Sequence, residues 1–186
     1  MAVMNSLASA PGERPSECLG LDMYRSGRRF EDFVVDGEPL RTILPRSERG
    51  GLAADLIPVL VWDWPIDRNV DTLLGRREPE LGDGRVSLYV CPECGDLGCG
   101  AVTAVIERDG DSVRWRDLAY QNNYEPLDDE LRLRDVGPFS FDRNEYEAML
   151  EGARRRWVSD GARYRSIAEP ARWRSRFRLP SLRRRR

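Results

Sequence analysis

An α+β fold, an antiparallel sheet covered by one or two helices, is the class the sequence predicts. Three observations carry it: Val86–Tyr120 reads as three consecutive strands joined by short turns, Phe30–Leu44 reads as a hairpin, and Asp142 opens a helix with an apolar stripe. The expected body is therefore a hairpin plus a three-strand meander within 23–156. A disordered segment at 1–22 precedes it and an arginine-rich tail at 157–186 follows.

The first twenty residues are small and polar, are interrupted by Pro11 and Pro15, and show no apolar period, the pattern of a disordered terminus. Cys18 sits at the edge of this segment. Phe30–Val35, the turn Asp36-Gly37-Glu38-Pro39 and Leu40–Leu44 then read as strand, turn and strand. Leu56–Trp62 is a short apolar run, ambiguous between strand and helix because Pro58 lies inside it. Trp62 and Trp64 close the run; they can pack over the sheet or wall an aromatic cleft. Ile66, Val70, Leu73 and Leu74 share one helical face, so a short helix is expected over Asp67–Leu74 with Gly75 as its C-terminal cap.

In the meander, Val86, Leu88 and Val90 alternate with Ser87, Tyr89 and Cys91, and Val102, Ala104 and Ile106 alternate with Ala101, Thr103 and Val105. Asp109-Gly110 supplies the hairpin turn before the third strand at Val113 and Trp115. The first connection, Cys91-Pro-Glu-Cys94-Gly-Asp-Leu-Gly-Cys99-Gly, carries three of the four cysteines. Its glycines let the backbone bend tightly enough for three sulfurs to converge, and Cys-Pro-X-Cys-Gly is the local pattern of a zinc knuckle. Cys91, Cys94 and Cys99 are thus candidate metal ligands, with zinc the candidate ion. A closed zinc site needs a fourth ligand; with no histidine in the chain it must be Cys18, Asp96, another carboxylate, a water or a second chain. Small reduced thiols shaping a turn, and a redox pair, remain open beside zinc. A thioredoxin-type mechanism is disfavoured, because Gly95-Asp96-Leu97-Gly98 followed by a strand stands where a helix N-terminus would support the thiolate.

Residues 121–135 are acidic and weakly patterned. Asp128, Asp129 and Glu130 are adjacent acids that point in different directions, so a solvated loop is expected there rather than a cation site. Asp142 and Glu145 then form a capping-box pattern, Phe141 and Tyr146 flank it as a hydrophobic staple, and Tyr146, Met149, Leu150 and Ala153 make the stripe that should lie on the sheet. From Arg154 to Arg186 arginines are interleaved with Tyr164, Trp173 and Phe177, a composition suited to an anionic partner such as RNA, single-stranded DNA or a lipid surface, or to a solvated tail.

Composition excludes several chemistries. All 30 cationic side chains are arginine and there is no histidine or lysine. Serine–histidine and cysteine–histidine catalysis, lysine Schiff bases, P-loop lysines and histidine-ligated metals are therefore absent. Residues 151–186 carry a net charge of +10 and residues 1–150 a net of −12, so the basic end can fold back on the body, join two copies or reach an anionic partner. No apolar run of 18 residues and no basic start followed by an apolar core are present, so neither a membrane span nor an export signal is expected. A reducing cytoplasm is then the default, which disfavours structural disulfides.

The segments Cys94-Gly95-Asp96-X-Gly98-Cys99-Gly100 and Gly137-Pro138-Phe139-X-Phe141-Asp142-Arg143-X-X-Tyr146, with Leu73-Leu74-Gly75-Arg76, resemble a widespread family of small uncharacterised bacterial proteins. The resemblance spans roughly Phe30 to Ala153 and implies a shared domain without a particular activity. Three functions follow from the residues. The first is a non-catalytic domain with a cysteine-rich, zinc-binding turn that acts through a protein partner. The second is a thiol-dependent oxidoreductase using Cys91 or Cys94, with Arg85 or Arg116 as anion contacts. The third is an anionic-surface or nucleic-acid binder through Arg154–Arg186. The first is favoured, since no complete catalytic set is visible.

Overall fold

The computed structural model describes residues 4–165 apart from 21, 22, 49 and 63, and leaves aside the side chains of 23 and 160–165. The segment expected to be disordered instead begins with strand β1 (Leu7–Arg14). A small hairpin of β2 (Glu17–Gly20) and β3 (Met23–Arg25) follows, then β4 (Arg28–Val35), which pairs with β1 over eight residues from Leu7↔Val35 to Arg14↔Arg28. Composition hid β1 because it is an edge strand, where Pro11 loses no ladder bond inside the sheet. Gly12 belongs there for a packing reason, since a Cβ at this position would run into the Phe30 ring.

The turn after β4 is as expected. Val35 pairs with Glu38 across Asp36 (φ 50°) and Gly37 (φ 83°), the two positive values that a tight Asp-Gly hairpin needs. Its second strand is only β5 (Glu38–Pro39). Leu40–Leu44, expected as strand, is instead helical, with α1 (Leu40–Ile43) running into a 3-10 turn. Leu40 and Leu44 are both buried and lie four apart, which is a helical spacing that the strand reading overlooked.

The ambiguous apolar run resolves as an extended segment that changes partners midway. β6 (Ile57–Pro58) pairs with Val90 and Tyr89, whereas Leu60 O and Trp62 N bond to Glu31 N and Arg29 O of β4, each at 2.9 Å. Helix α2 (Ile66–Leu73) follows, and Gly75 closes its C-terminus at φ 72° as expected. The meander is present as β7 (Arg85–Val90), β8 (Ala101–Asp109) and β9 (Ser112–Gln121), all antiparallel. Beyond it, β10 (Phe139–Asp142) pairs with β9, a strand the sequence reading had absorbed into a helix start. Helix α3 (Arg143–Arg165) begins directly after it and overruns the boundary expected near residue 156.

The pairings run almost full circle. The larger sheet has the order β10-β9-β8-β7-β6, β6 leads into the segment on β4, and β4 carries β1. At the far margin Asn5 N donates to Ser140 O at 2.6 Å, and Ser140 N donates to the Asn5 side chain at 2.9 Å. Asp36 holds this junction, accepting from Asn5 Nδ2 at 2.6 Å and Ser6 N at 2.8 Å. These hydrogen bonds, the Asn5 side chain first, keep the Asp36 carboxyl below the usual carboxylate range.

Trp115 sits at the centre of the core, fully buried, with Phe33, Phe141 and Tyr146 edge-on to it at ring distances of 5.2, 5.1 and 6.0 Å. Its indole N–H donates to Tyr146 Oη at 3.3 Å, and the Tyr146 hydroxyl donates to Leu73 O at 3.0 Å, tying α3 to the sheet and to α2. The helix start has the expected cap, with Glu145 N donating to Asp142 Oδ1 at 3.0 Å, and Phe141 stacks on Tyr146 as the staple. Tyr146, Leu150 and Ala153 are buried, so the stripe faces the core as predicted.

A second buried feature is polar. Arg85, 2% exposed, donates to Thr103 Oγ1 at 2.9 Å, Thr103 O at 3.2 Å and Asp117 Oδ2 at 2.7 Å, and also to Asp117 O. Asp117 occupies a β-bulge at φ 55° and pairs with Arg132 as well.

Candidate metal centre

β7 ends at Val90 and β8 begins at Ala101, so the cysteine turn must reverse the chain over ten residues. Gly95 N donates to Cys91 O at 2.9 Å, closing the first bend. Asp96 caps the 3-10 turn Leu97–Cys99 by accepting from Gly98 N at 2.6 Å. As a result the Sγ atoms of Cys91, Cys94 and Cys99 all lie within 4.8 Å of one another, and those of Cys94 and Cys99 are 3.4 Å apart. A tetrahedral zinc with Zn–S bonds of about 2.3 Å would set its sulfurs about 3.8 Å apart, so the cluster needs little adjustment to hold an ion. Among the described residues this is the one group of three or more cysteine and acidic side chains with that convergence.

The electrostatics suit thiolates unevenly. Burial opposes charge on Cys91, but the amides of Cys94 and Glu93 and the two neighbouring thiols outweigh it, and its pKa falls below the ordinary thiol value. Cys99 moves the opposite way, to about 11, because it hydrogen bonds with Cys94 and lies beside the charge of Cys91. Asp96 N points at Cys94 Sγ at 3.4 Å. One sulfur is thus favoured as the first anion; a cation would relieve the mutual repulsion of the others.

Several residues the sequence reading had not assigned shape the turn. Tyr120 Oη donates to Cys99 O at 3.2 Å, Trp64 lies against Gly95, and Arg28 covers the Trp64 ring at 5.5 Å while donating to Pro92 O at 2.6 Å. Glu93 accepts from Arg14 at 2.6 Å and from Ser26 N at 3.2 Å. Tyr120 was not within reach of sequence reasoning, because only the β8–β9 bulge sets it opposite Val102, beside the end of the turn. Gly100 (φ 92°, ψ 148°) lies in a backbone region essentially reserved for glycine, and a Cβ there would meet the Tyr120 hydroxyl. Gly100→Ala is expected to cost about 1–3 kcal/mol, measured as a lower thermal midpoint; an unchanged midpoint would show that the turn tolerates another path.

Other sequence candidates lie elsewhere. Arg85 stands at the opposite end of β7 from Cys91, roughly 20 Å away at 3.3 Å per residue, and is committed to Asp117. Arg116 pairs with Glu107. Neither is an anion contact for the thiols, which corrects that part of the oxidoreductase reading. Asp96 caps its turn and Cys18, in β2, stands outside the cluster. Asp128 caps a 3-10 turn and Asp129 pairs with Arg132 and Arg134, so these acids serve the loop. Arg154 bonds Asp71 at 2.5 Å and Arg156 bonds Glu31 at 3.2 Å, so this part of the basic end folds back on the acidic body. The rest of the arginine tail, 166–186, lies outside the described residues.

Fold and site together define a class: an α+β domain whose central β-turn presents a surface trio of cysteines at metal-ligand spacing. Among family models, curated proteins and solved structures alike, none matches the chain. No helix among the described residues is long and apolar enough to cross a membrane.

Proposed function

We propose that the chain is a non-catalytic zinc-binding domain, with Cys91, Cys94 and Cys99 as ligands, that acts through a protein partner in a reducing compartment. The observation that carries this reading is the convergence of three sulfurs to within 4.8 Å on a turn whose neighbours are occupied in holding its shape. Soft thiolates select zinc over hard cations, and the chain offers no imidazole.

The test is elemental analysis of protein purified under reducing conditions, followed by thermal melting with and without a chelator. One zinc per chain is expected, lost in Cys91→Ser and Cys94→Ser. At free zinc about 100 times its dissociation constant the gain is about 2.7 kcal/mol, a midpoint shift of roughly 5–11 °C for a chain of this size. A reduced protein that takes up no zinc, with Cys94→Ser melting like the parent, would sink the reading.

The 3.4 Å approach of Cys94 and Cys99 favours one second reading, a redox pair. In it, a small disulfide oxidant such as glutathione disulfide accepts two electrons and two protons from the two thiols, which join as a disulfide. Rapid, stoichiometric loss of these two thiols in native protein at a mild redox poise, with no zinc bound, would select it.

A further inference from the structure

We infer that Cys18 supplies the fourth thiolate of the centre, brought in by the β2–β3 hairpin of the same chain. This rests on the zinc reading and deepens it. Three sulfurs leave one corner of a tetrahedron open, and structural zinc sites close that corner with a protein ligand. With no histidine, Cys18 is the remaining thiol in the sequence. The nearest acids are occupied, Asp96 Oδ1 by Gly98 N and Glu93 by Arg14 and Ser26 N.

The placement of Cys18 supports the assignment. It is not at the fringe of a loose terminus but within a strand, paired with Tyr24 in a hairpin that belongs to neither larger sheet. The root of that hairpin is bound to the cysteine turn itself. Ser26 N donates to both Glu93 oxygens at 3.2 Å, and Arg14 Nη1 joins Glu93 at 2.6 Å to Ser26 O at 3.2 Å. Glu93 is the residue before Cys94. From Ser26 to Tyr24 is roughly 7 Å along the strand, and the step across to Cys18 is about 5 Å. The Cys18 backbone therefore stands within about 12 Å of Ser26, whose amide is bonded to the side chain of Glu93 next to Cys94, and reaching the cluster requires a tilt of the hairpin about Pro15 and Gly27. All of β2 is exposed, and Leu19 and Tyr24 are 44% and 65% exposed, apolar surface that docking on the turn would cover. Four thiolates on one Zn²⁺ leave a net charge of −2, and Arg14 and Arg28, both bonded to the turn, stand where they offset it.

The experiment is differential alkylation of the full reduced chain, with and without one equivalent of zinc, each cysteine read by peptide mass spectrometry, alongside cobalt substitution, whose thiolate charge-transfer intensity counts sulfur ligands. Zinc is expected to slow alkylation of Cys18 together with Cys91, Cys94 and Cys99. Cys18→Ser should still bind one metal but show three thiolates in place of four. Loss of an outer-shell partner already costs about 10–100-fold in metal affinity, so loss of this ligand should cost at least as much. If Cys18 reacts equally fast with zinc present while the other three are protected, the inference fails and the three-cysteine centre stands. If zinc protects none of the four, both fail. Protection that appears only at high protein concentration, with a dimer, overturns the within-chain assignment in favour of a second copy.

Discussion

Asp117→Ala is expected to lose about 3–5 kcal/mol of stability, the cost of leaving a buried ion without its partner. Arg85 has almost no access to water, and its other acceptors, Thr103 Oγ1, Thr103 O and Asp117 O, are neutral. Removing the carboxylate leaves the guanidinium with neutral hydrogen-bond acceptors and only the more remote charge of Asp83. Two companion variants separate the causes. Asp117→Asn keeps a residue that tolerates the positive φ of 55° and deletes only the charge. Arg85→Met removes the buried cation while Asp117 keeps Arg132, and should cost clearly less than Asp117→Ala. Urea unfolding reads the difference as a lower midpoint at unchanged slope; equal losses in Asp117→Ala and Arg85→Met would refute the argument.

The same pair sets an acid limit. Burial alone would raise the Asp117 carboxyl, but the Arg132 hydrogen bond and the Arg85 charge outweigh it and hold the pKa below the ordinary value. A depressed carboxylate contributes fully above its unfolded pKa, near 3.9, and the contribution is lost as pH falls toward the lower folded value. The parent should therefore lose this increment below about pH 4, whereas Asp117→Asn should lack it at every pH.

Trp115→Ala is the second large effect, about 3–5 kcal/mol. The indole touches rings from β4, β10 and α3, so truncation opens a cavity where three elements meet. Edge-on aromatic pairs add about 0.5–1.5 kcal/mol each beyond area burial, and three are lost together. Tyr146 keeps its bond to Leu73 O but loses the indole donor. Trp115→Phe, which retains a ring, should cost clearly less; chemical denaturation followed by far-ultraviolet circular dichroism avoids dependence on the deleted fluorophore. Similar losses in both variants would mean that the hydrogen bond, not the ring contacts, holds α3.

The meander, the Asp-Gly turns, α2 with Gly75 and the capped start of α3 were legible because each is specified by residues close in sequence. What failed depended on distant partners. β1 looks disordered until β4 is set beside it, and β10 is too short to show a period of its own. Leu40–Leu44 went wrong because strand and helix compete over so few residues, and burial of Leu40 and Leu44 decided the matter. At the cysteine turn, spacing and glycines gave the convergence of three thiols directly. The clamp of Arg14, Ser26 and Arg28 on Pro92 and Glu93 was invisible, since it joins residues more than sixty positions apart. Asp117 was hidden for a third reason: only a bulge in the β8–β9 register turns it toward Arg85.

The junction between Asn5 and Ser140 has a consequence for biosynthesis. Asn5 finds its partner in Ser140, 135 positions later, so this junction cannot close until β10 has left the ribosome. Until then the segment leading into β1 lacks the contact that ties it to the larger sheet, and an incomplete nascent chain is open to wrong pairings and to chaperones. A translation pause before β10 has emerged from the ribosome should prolong that interval, whereas a pause after its emergence should be harmless.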